Sequence, residues 1–177
     1  MYLSKITNVR GDNYFHHQVV KHAFPNQKVL FRSFGNKIKV LSSEKPSVDK
    51  TFNGSIVDSI KSVETPETNS VVFFNVLLNP TKHVRIEGKN KSKTFGILNS
   101  DEVQKWVTEK FSVNGASLLD VDIDTQPLTK VEKKGTSIIS HLVSGTLEIT
   151  DKEKFGNLLS RGMGDAQYIG YGMVDVW

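Results

Sequence analysis

The chain has 177 residues, of which 37% are hydrophobic and 24% are charged, as in folded proteins of one large domain or two small ones. The absence of cysteine excludes disulfides, a thiolate nucleophile and cysteine-ligated zinc. No apolar run approaches the roughly 18 residues that a membrane helix needs, and the first residues, "MYLSKITNVRG", lack the apolar block of a secretory signal. We therefore expect a cytoplasmic protein with no membrane partner.

The formal net charge of +4 is divided unevenly along the chain. Residues 1–99 carry 15 Lys and Arg against 7 Asp and Glu, whereas residues 100–177 carry 8 against 12. A basic half beside a mildly acidic half indicates an anionic partner that binds from one side, such as a nucleic acid. Chance clustering on a solvated surface would give the same counts, so the charge by itself leaves both interpretations open.

The first 42 residues predict a strand, a helix and a hairpin. "YLSKITNV" alternates apolar and polar residues as a strand does. Asp12 or Asn13 can then cap a helix over about residues 13–24, which must stop before Pro25. "KVLFRSFGNKIKVLS" predicts a hairpin that turns at Gly35-Asn36. The next stretch, to residue 69, has the composition of a loop around one strand candidate at 55–63.

The second half is more regular. "VVFFNVLLN" predicts a buried strand that ends before Pro80, and "TKHVRIEGKNKSK" predicts a basic loop or ribbon. "SLLDVDID" and "TSIISHLVSGTLEIT" predict two strands, "DKEKFGNLLSRG" a short helix, and "QYIGYGMVDVW" a closing strand. Ser100 is expected to cap an earlier helix, whose apolar stripe is Val103, Trp106, Val107 and Phe111.

The order strand–helix–strand–strand–helix–strand across residues 71–177 is that of a ferredoxin-like βαββαβ unit. The first part of the chain gives strand–helix–strand–strand and then a degraded remainder. We therefore predict the α+β class, with two tandem ferredoxin-like (RRM-like) units in domains of residues 1–70 and 71–177. This scaffold carries many functions, so the fold alone does not name one.

The stretch "NYFHHQVVKHAFPN" holds three of the five histidines. A metal site is disfavoured, because no two of these histidines stand four apart and no carboxylate lies between Tyr14 and Pro25. At about 100° per residue, Tyr14, His17 and Lys21 fall on one helix face. A phenol, an imidazole and an ammonium would suffice for RNA cleavage by the ribose 2′-hydroxyl, with His17 as base or acid. A surface helix with an ordinary polar face fits the same spacing. We expect no metal and no cofactor.

The segment "RGMGDAQYIGYGMVDV" places glycines at 162, 164, 170 and 172. It is not a dinucleotide-binding motif, because the third glycine is misplaced and the segment follows a helix and precedes a strand. Two interpretations remain. The glycines can let backbone amides approach a phosphate, or Gly162 can end a helix while the others form strand bulges.

Two segments are rich in lysine. "NPTKHVRIEGKNKSK" has five cations against one acid, and "KVEKKG" places three lysines at a predicted hairpin tip. Together they suit contacts with phosphates, although each alone is also typical of a solvated charge run.

Several of these motifs, taken in order, resemble those of the CasE-type CRISPR repeat-processing endoribonucleases. They are "MYLSK", Tyr14 and His17 followed by "FPN", "NPTK" at 79–82, and "GTLEIT…LLSRGMGDAQYIGYGMVDV" at 145–176. The resemblance implies a tandem ferredoxin-like fold and an enzyme that cuts a CRISPR repeat transcript at the base of its stem-loop without metal. The implied products are a 2′,3′-cyclic phosphate and a 5′-hydroxyl. The implied partners are the repeat RNA hairpin, the crRNA and other subunits of a CRISPR effector complex.

By the same resemblance, His17 matches the family's catalytic histidine and Tyr14 its partner tyrosine. We expect His16 to be an exposed neighbour and His141 to be structural. RNA contacts are expected from a set of cations, glycines and one glutamine: Lys21, His22, Lys82, Arg85, Lys89, Lys91, Lys93, Lys133, Lys134, Arg161, Gly162, Gly164, Gln167, Gly170 and Gly172.

The chain departs from the family pattern at three places. Asn75 and Leu77 stand where arginines usually precede the "NP" motif, Gln167 stands where a lysine is common, and the region 43–69 is short. These departures leave an alternative function, a non-catalytic RNA-hairpin-binding subunit of a guide-RNA complex.

Overall fold

The computed structural model describes residues 1–46, 54–85, 92–131 and 136–177. Its first part is an antiparallel sheet of four strands with the order β2-β3-β1-β4, which is the order of a ferredoxin-like sheet. The elements are β1 (Tyr2–Thr7), α1 (Asn13–Ala23), β2 (Leu30–Phe34), β3 (Lys37–Ser42) and β4 (Ile56–Ser62).

The predicted hairpin is confirmed, because Phe34 on β2 pairs with Lys37 on β3 across the turn. The strand candidate at 55–63 is also confirmed, as β4. The segment between β3 and β4, where a second helix of the unit would lie, centres on residues outside the described ranges.

Helix α1 covers one face of this first sheet. Its apolar side buries Val19, Val20 and Ala23 against residues of β1 and β3, among them Ile6 and Ile38, each at most 3% exposed. Because side chains alternate along a strand, the residues between these core positions point to the opposite face, which no helix of the described chain covers.

The second part repeats the plan with the sheet order β10-β5-β9-β8. A two-stranded ribbon, β6 with β7, is inserted after the first strand of this sheet. The elements are β5 (Val71–Leu78), β6 (Thr81–Arg85), β7 (Ser92–Gly96), α2 (Ser100–Val113), β8 (Ala116–Val131), β9 (Thr136–Ile149), α3 (Lys152–Arg161), a 3-10 turn (Gln167–Ile169) and β10 (Val174–Val176).

The predicted class, α+β with two tandem ferredoxin-like units, is therefore confirmed. The division of domains between residues 70 and 71 stays a prediction. The second core lies between its sheet and helices α2 and α3, and the rings of Phe74 and Phe111 meet edge to face at its centre, 4.9 Å apart.

Three local predictions were wrong. Asn99 caps α2 instead of Ser100, because its Oδ1 accepts the amide hydrogens of Asp101 and Glu102 at 2.9 and 3.0 Å. Strand β5 is not buried on both faces, because the helices in the described parts of the chain cover only one of them. Val71 and Phe73 are 61% and 57% exposed on the other. The closing strand begins only at residue 174, because residues 167–169 form the 3-10 turn.

Polar and apolar contacts join the two sheets. Arg32 on β2 donates to the side-chain oxygen of Asn75 on β5, and Lys39 on β3 forms an ion pair with Asp175 on β10. The family resemblance led us to expect an arginine at position 75. Asn75 instead accepts a hydrogen bond from Arg32 of the first sheet. Met173 packs beside these contacts with apolar residues of β2 and β3.

Candidate nucleic-acid interface

Helix α1 carries the candidate catalytic residues on the side turned away from its core. The helix begins where Asp12 Oδ1 accepts the amide hydrogen of Phe15 at 2.9 Å. Tyr14 is 43% exposed near the first turn, and His17 and Lys21 follow at one-turn intervals. The structure thus places the three predicted side chains along one edge of the helix.

His17 is half-buried beside the ring of Phe31 on β2, with ring centroids 6.2 Å apart and planes tilted by 33°. Burial lowers the pKa of His17 below its ordinary value of 6.5, and the positive charge of Lys21 lowers it further. A lowered pKa keeps the imidazole neutral at neutral pH. It can then accept a proton, as a general base must.

A cleft of about 490 Å³ separates α1 from the segment 162–172, which we call the glycine loop. His17 and Lys21 line one wall, and Gly164 and Gln167 line the other. Phe31 contributes to the lining between them. The fold therefore brings residues from the two ends of the chain into one cavity.

The glycine loop is shaped by close backbone contacts. A Cβ at Gly172 would lie 2.3 Å from the carbonyl oxygen of Met163, and φ at Gly172 is +79°. The Met163 amide donates to the carbonyl of Gly172, and the Gly172 amide donates to the carbonyl of Leu77, both at 2.8 Å. Gly172 is therefore needed for the loop's own conformation and its attachment to β5.

The loop's glycines divide into structural and cleft-lining positions. Gly162 is the C-cap of α3, where its amide donates to the carbonyl of Leu158 at 2.8 Å. Gly170 packs on the ring of Phe31 and does not line the cleft. Of the four glycines, only Gly164 lines the cavity. Gly162 ends a helix as one interpretation expected, but Gly170 and Gly172 precede β10 and form no strand bulge. The approach of a phosphate to the glycine loop stays a prediction.

The ribbon formed by β6 and β7 carries three of the predicted RNA-contacting cations. Lys82 forms an ion pair with Glu102 on α2 at 2.6 Å. Lys93 pairs in register with Val84, so it lies on the same face as Lys82, whereas Arg85 lies on the other face. Both Arg85 and Lys93 are exposed.

The root of this ribbon is tied to the cleft. The hydroxyl of Thr81 donates to Asp165, a lining residue, at 2.9 Å. Arg161 is exposed in the last turn of α3, and His22 is exposed on α1; neither lines the cleft. Four other predicted cations lie outside the described residues: Lys89, Lys91, Lys133 and Lys134.

Two other histidines have structural surroundings. The prediction that His16 is exposed was wrong, because it is 4% exposed and its Nδ1 lies 2.8 Å from the hydroxyl of Ser33. Val19 and Val20 follow His16 at spacings of three and four residues, so His16 lies on the same apolar face of α1. His141 is fully buried, as expected of a structural residue, and its Nε2 donates to the carbonyl of Ile97 at 2.8 Å.

Sequence reasoning missed several residues that line the cleft. Lys28 and Gln27 come from the turn after α1, and Tyr168 comes from the 3-10 turn of the glycine loop. The side-chain oxygen of Gln27 is buried and has no hydrogen-bond partner among the described residues. The position of Tyr168 between two glycines of one motif was a usable signal, whereas nothing in the local sequence marked the other two.

In the described parts of the chain, no three His, Asp or Glu side chains come close enough together to hold a metal ion. None of the helices in these same ranges is long and apolar enough to cross a membrane.

Comparison with known proteins places the whole chain in one group. A family model described as "CRISPR associated protein" matches residues 1–176. No curated protein sequence matches the chain.

Three solved structures show the same fold over nearly all of the chain. The CRISPR-associated protein Cas6e from Escherichia coli K-12 is 25% identical, with a TM-score of 0.84, and the match covers 99% of this chain and 98% of that one. The CRISPR endoribonuclease Cse3 bound to a 19-nucleotide RNA is 20% identical, with a TM-score of 0.87 and the same coverage. A chain of a CRISPR RNA-guided surveillance complex in a pre-nicking state is 18% identical, with a TM-score of 0.71 and 99% coverage of both chains.

Proposed function

Because the chain belongs to this CRISPR-associated protein family, we propose that it is an endoribonuclease that cuts the repeat stem-loop of precursor CRISPR RNA without a metal ion. The observation that carries the proposal is the position of His17. Its half-buried imidazole, with a lowered pKa, lines a cleft together with Lys21 and the glycine loop. Family membership and the RNA bound to Cse3 make RNA the favoured occupant of this cleft.

In the proposed reaction, His17 accepts the proton of the ribose 2′-hydroxyl next to the scissile phosphate. The 2′-oxygen then forms a bond to phosphorus, and the bond from phosphorus to the 5′-oxygen breaks. The 5′-oxygen leaves as a hydroxyl after it takes a proton from the imidazolium or from water. The other product is a 2′,3′-cyclic phosphate, and DNA would be inert because it lacks the nucleophile.

Lys21 and Tyr14 would assist this step from the same helix. The ammonium of Lys21 offsets the negative charge that builds up on the phosphoryl oxygens, and it holds down the pKa of His17. Tyr14, one turn before His17, would orient the ribose or donate a hydrogen bond to a phosphoryl oxygen.

The RNA stem would be held by the cations around the cleft. Lys82, Arg85 and Lys93 sit on the ribbon whose root contacts Asp165 of the cleft, and Arg161 precedes the glycine loop. Because Arg85 and Lys93 point to opposite faces, the ribbon would straddle a groove and contact both phosphate strands. After cleavage the product would be retained and passed to other subunits of a CRISPR effector complex, as the fold shared with a surveillance-complex chain suggests.

The proposal is tested with the protein and its repeat hairpin RNA in excess EDTA. One cut is expected, and an RNA with 2′-deoxyribose at the cut site should stay intact. His17→Ala should lower the single-turnover rate by about two to four orders of magnitude, the usual contribution of a general acid or base. Gln104→Ala is the control, because Gln104 is exposed on α2, lies outside the ribbon and does not line the cleft.

Two outcomes would refute the mechanism: cleavage only with added metal, or full activity in His17→Ala. Tight binding of the hairpin with no product over hours would select the alternative, an RNA-hairpin-binding subunit without catalysis.

A further inference from the structure

We propose that a second surface of the protein, on the first sheet, binds a single-stranded part of the RNA beside the hairpin. This inference rests on the proposed function, since it names a further portion of the same substrate. The surface, which we call the basic sheet face, is the side of the first sheet turned away from α1. Its residues are Phe34 on β2, Lys37 and Lys39 on β3, Lys5 on β1, and Ser59 and Lys61 on β4.

These residues line a shallow groove of about 430 Å³ that crosses the four strands. Neighbouring strands lie about 4.8 Å apart, so the groove is about 14 Å wide from β2 to β4. Sheets of this size and order bind RNA in RRM domains, where two or three bases stack on the open face.

The charges of the groove favour an anion. The Nζ of Lys5 lies 3.1 Å from a carboxylate oxygen of Asp58, and Lys39 forms an ion pair with Asp175. The positive charges of these two lysines are therefore largely balanced. Lys37 and Lys61 are exposed and form no ion pair within the described ranges. They supply the excess positive charge, one near each side of the sheet.

Phe34 supplies a stacking platform in the same groove. Its ring is 45% exposed, and the guanidinium of Arg32 lies 4.7 Å from its centroid. One face of the ring is therefore covered by a cation, which holds the ring in place, while the exposed part remains available to a base. A phenylalanine next to lysines on an open sheet is an arrangement that suits single-stranded nucleic acid.

The corresponding face of the second sheet would repel RNA. Asp120, Asp122 and Asp124 follow one another at alternate positions of β8, and Glu148 on β9 points the same way. Where residues 116–126 of β8 pair with β9, this face has no lysine or arginine on either strand. Because the two open faces have opposite charge, phosphates would be directed to the first sheet alone.

The basic sheet face is within reach of the cleft. Strand β2 is an edge strand of the first sheet. Phe31 of this strand lines the cleft, and Phe34 lies three residues further along on the opposite side. An RNA strand that leaves the cleft therefore has to pass around only one strand to reach the groove.

The test compares the affinity of two RNAs that carry 2′-deoxyribose at the cut site. One is the repeat hairpin alone, and the other carries a single-stranded flank of about ten nucleotides, placed 5′ in one probe and 3′ in another. We expect the protein to bind one flanked probe more tightly than the bare hairpin. In the double variant Lys37→Gln/Lys61→Gln, the plot of log affinity against log salt concentration should become less steep by about 1.4 for that probe. The slope for the bare hairpin should not change.

Phe34→Ala should weaken binding of the same flanked probe by roughly 5- to 150-fold, the range for loss of one stacked base. Lys105→Gln/Lys110→Gln is the matched control, because it removes the same charge from α2. Its effect on the flanked and bare probes should be equal.

The inference is overturned if neither flank adds affinity, or if the variants weaken the bare hairpin as much as the flanked probe. It is also overturned if a polyglutamate peptide binds this face and the RNA flank does not, which would assign the groove to an acidic protein. Cleavage of the bare hairpin by the wild-type protein tests the proposed function separately, because the bare hairpin has no flank that could bind the basic sheet face. A wild-type protein that cleaves but gains nothing from a flank refutes only the inference.

Discussion

Substitution of Gly172 by alanine tests whether the glycine loop is fixed by backbone contacts. At φ +79°, an L-residue costs about 1 to 2 kcal/mol relative to glycine. The new Cβ would also lie 2.3 Å from the carbonyl oxygen of Met163, so one of the two segments must move by about 1 Å. That movement would break the hydrogen bonds that Gly172 makes with Met163 and with Leu77.

Each broken hydrogen bond, left unsatisfied in a buried site, costs about 1 to 3 kcal/mol. When the cost of placing an L-residue at a positive φ is added to the cost of the two hydrogen bonds, we expect Gly172→Ala to lower the free energy of unfolding by about 3 to 8 kcal/mol. That is a large part of the 5 to 15 kcal/mol typical of a folded protein. Cleavage of the hairpin RNA should be lost in parallel at temperatures where the variant is still folded, because the loop forms one wall of the cleft.

Gly35→Ala is the matched control. Gly35 also has a positive φ, +58°, but no atom lies within 4 Å of the point that an added Cβ would occupy, so only the backbone term of about 1 to 2 kcal/mol applies. Urea unfolding of both variants, followed by tryptophan fluorescence, gives the comparison. Trp106 is a useful reporter, because its ring lies 3.2 Å from where a Cβ of Gly164 would be. Equal stability of the two alanine variants would refute the reasoning.

Three further predictions concern the histidines. Lys21→Gln should raise the pKa of His17, because it removes a repelling charge, so the acid limb of the cleavage-rate profile should move to higher pH; an unchanged limb would contradict this. The pKa values of His16 and His17 both lie below 6.5, so the unfolded chain binds more protons than the folded one near pH 6. Stability measured by urea unfolding should therefore fall as the pH is lowered from about 6.5 through the folded-state pKa values, less so in His17→Ala. His141→Leu should cost about 1 to 3 kcal/mol, because it leaves the carbonyl of Ile97 buried without its donor; a variant with wild-type urea stability would argue against that hydrogen bond.

Periodicity and capping predicted most of the architecture. The alternation in β1, the Gly35-Asn36 turn and the stop before Pro25 act within a few residues, so the sequence displays them directly. The order of elements then limited the fold to a ferredoxin-like arrangement. The prediction for β5 went wrong because its apolar residues lie on both faces, whereas the helices that the structure describes cover only one face. An apolar run in the sequence does not predict which elements will pack against the strand.

The candidate site could be predicted only in part. The spacing of Tyr14, His17 and Lys21 sets a helix face, so their alignment followed from geometry alone. The opposite wall of the cleft depends on how the glycine loop docks on β2, which is a contact between distant parts of the chain. Gln27 and Lys28 carried no local mark of this docking, whereas Tyr168 was marked by the glycines on either side of it. The burial of His16 was predictable in principle, since it continues the apolar stripe of α1.

The walls of the cleft are separated by most of the chain, with His17 on one side and Gly164 on the other. During synthesis, the first wall leaves the ribosome long before the second wall exists. A nascent chain could therefore fold its first sheet early and yet be unable to enclose an RNA backbone until the glycine loop has emerged and docked. If the cleft is the catalytic site, its nuclease activity would switch on late in translation, a timing that is set by topology alone.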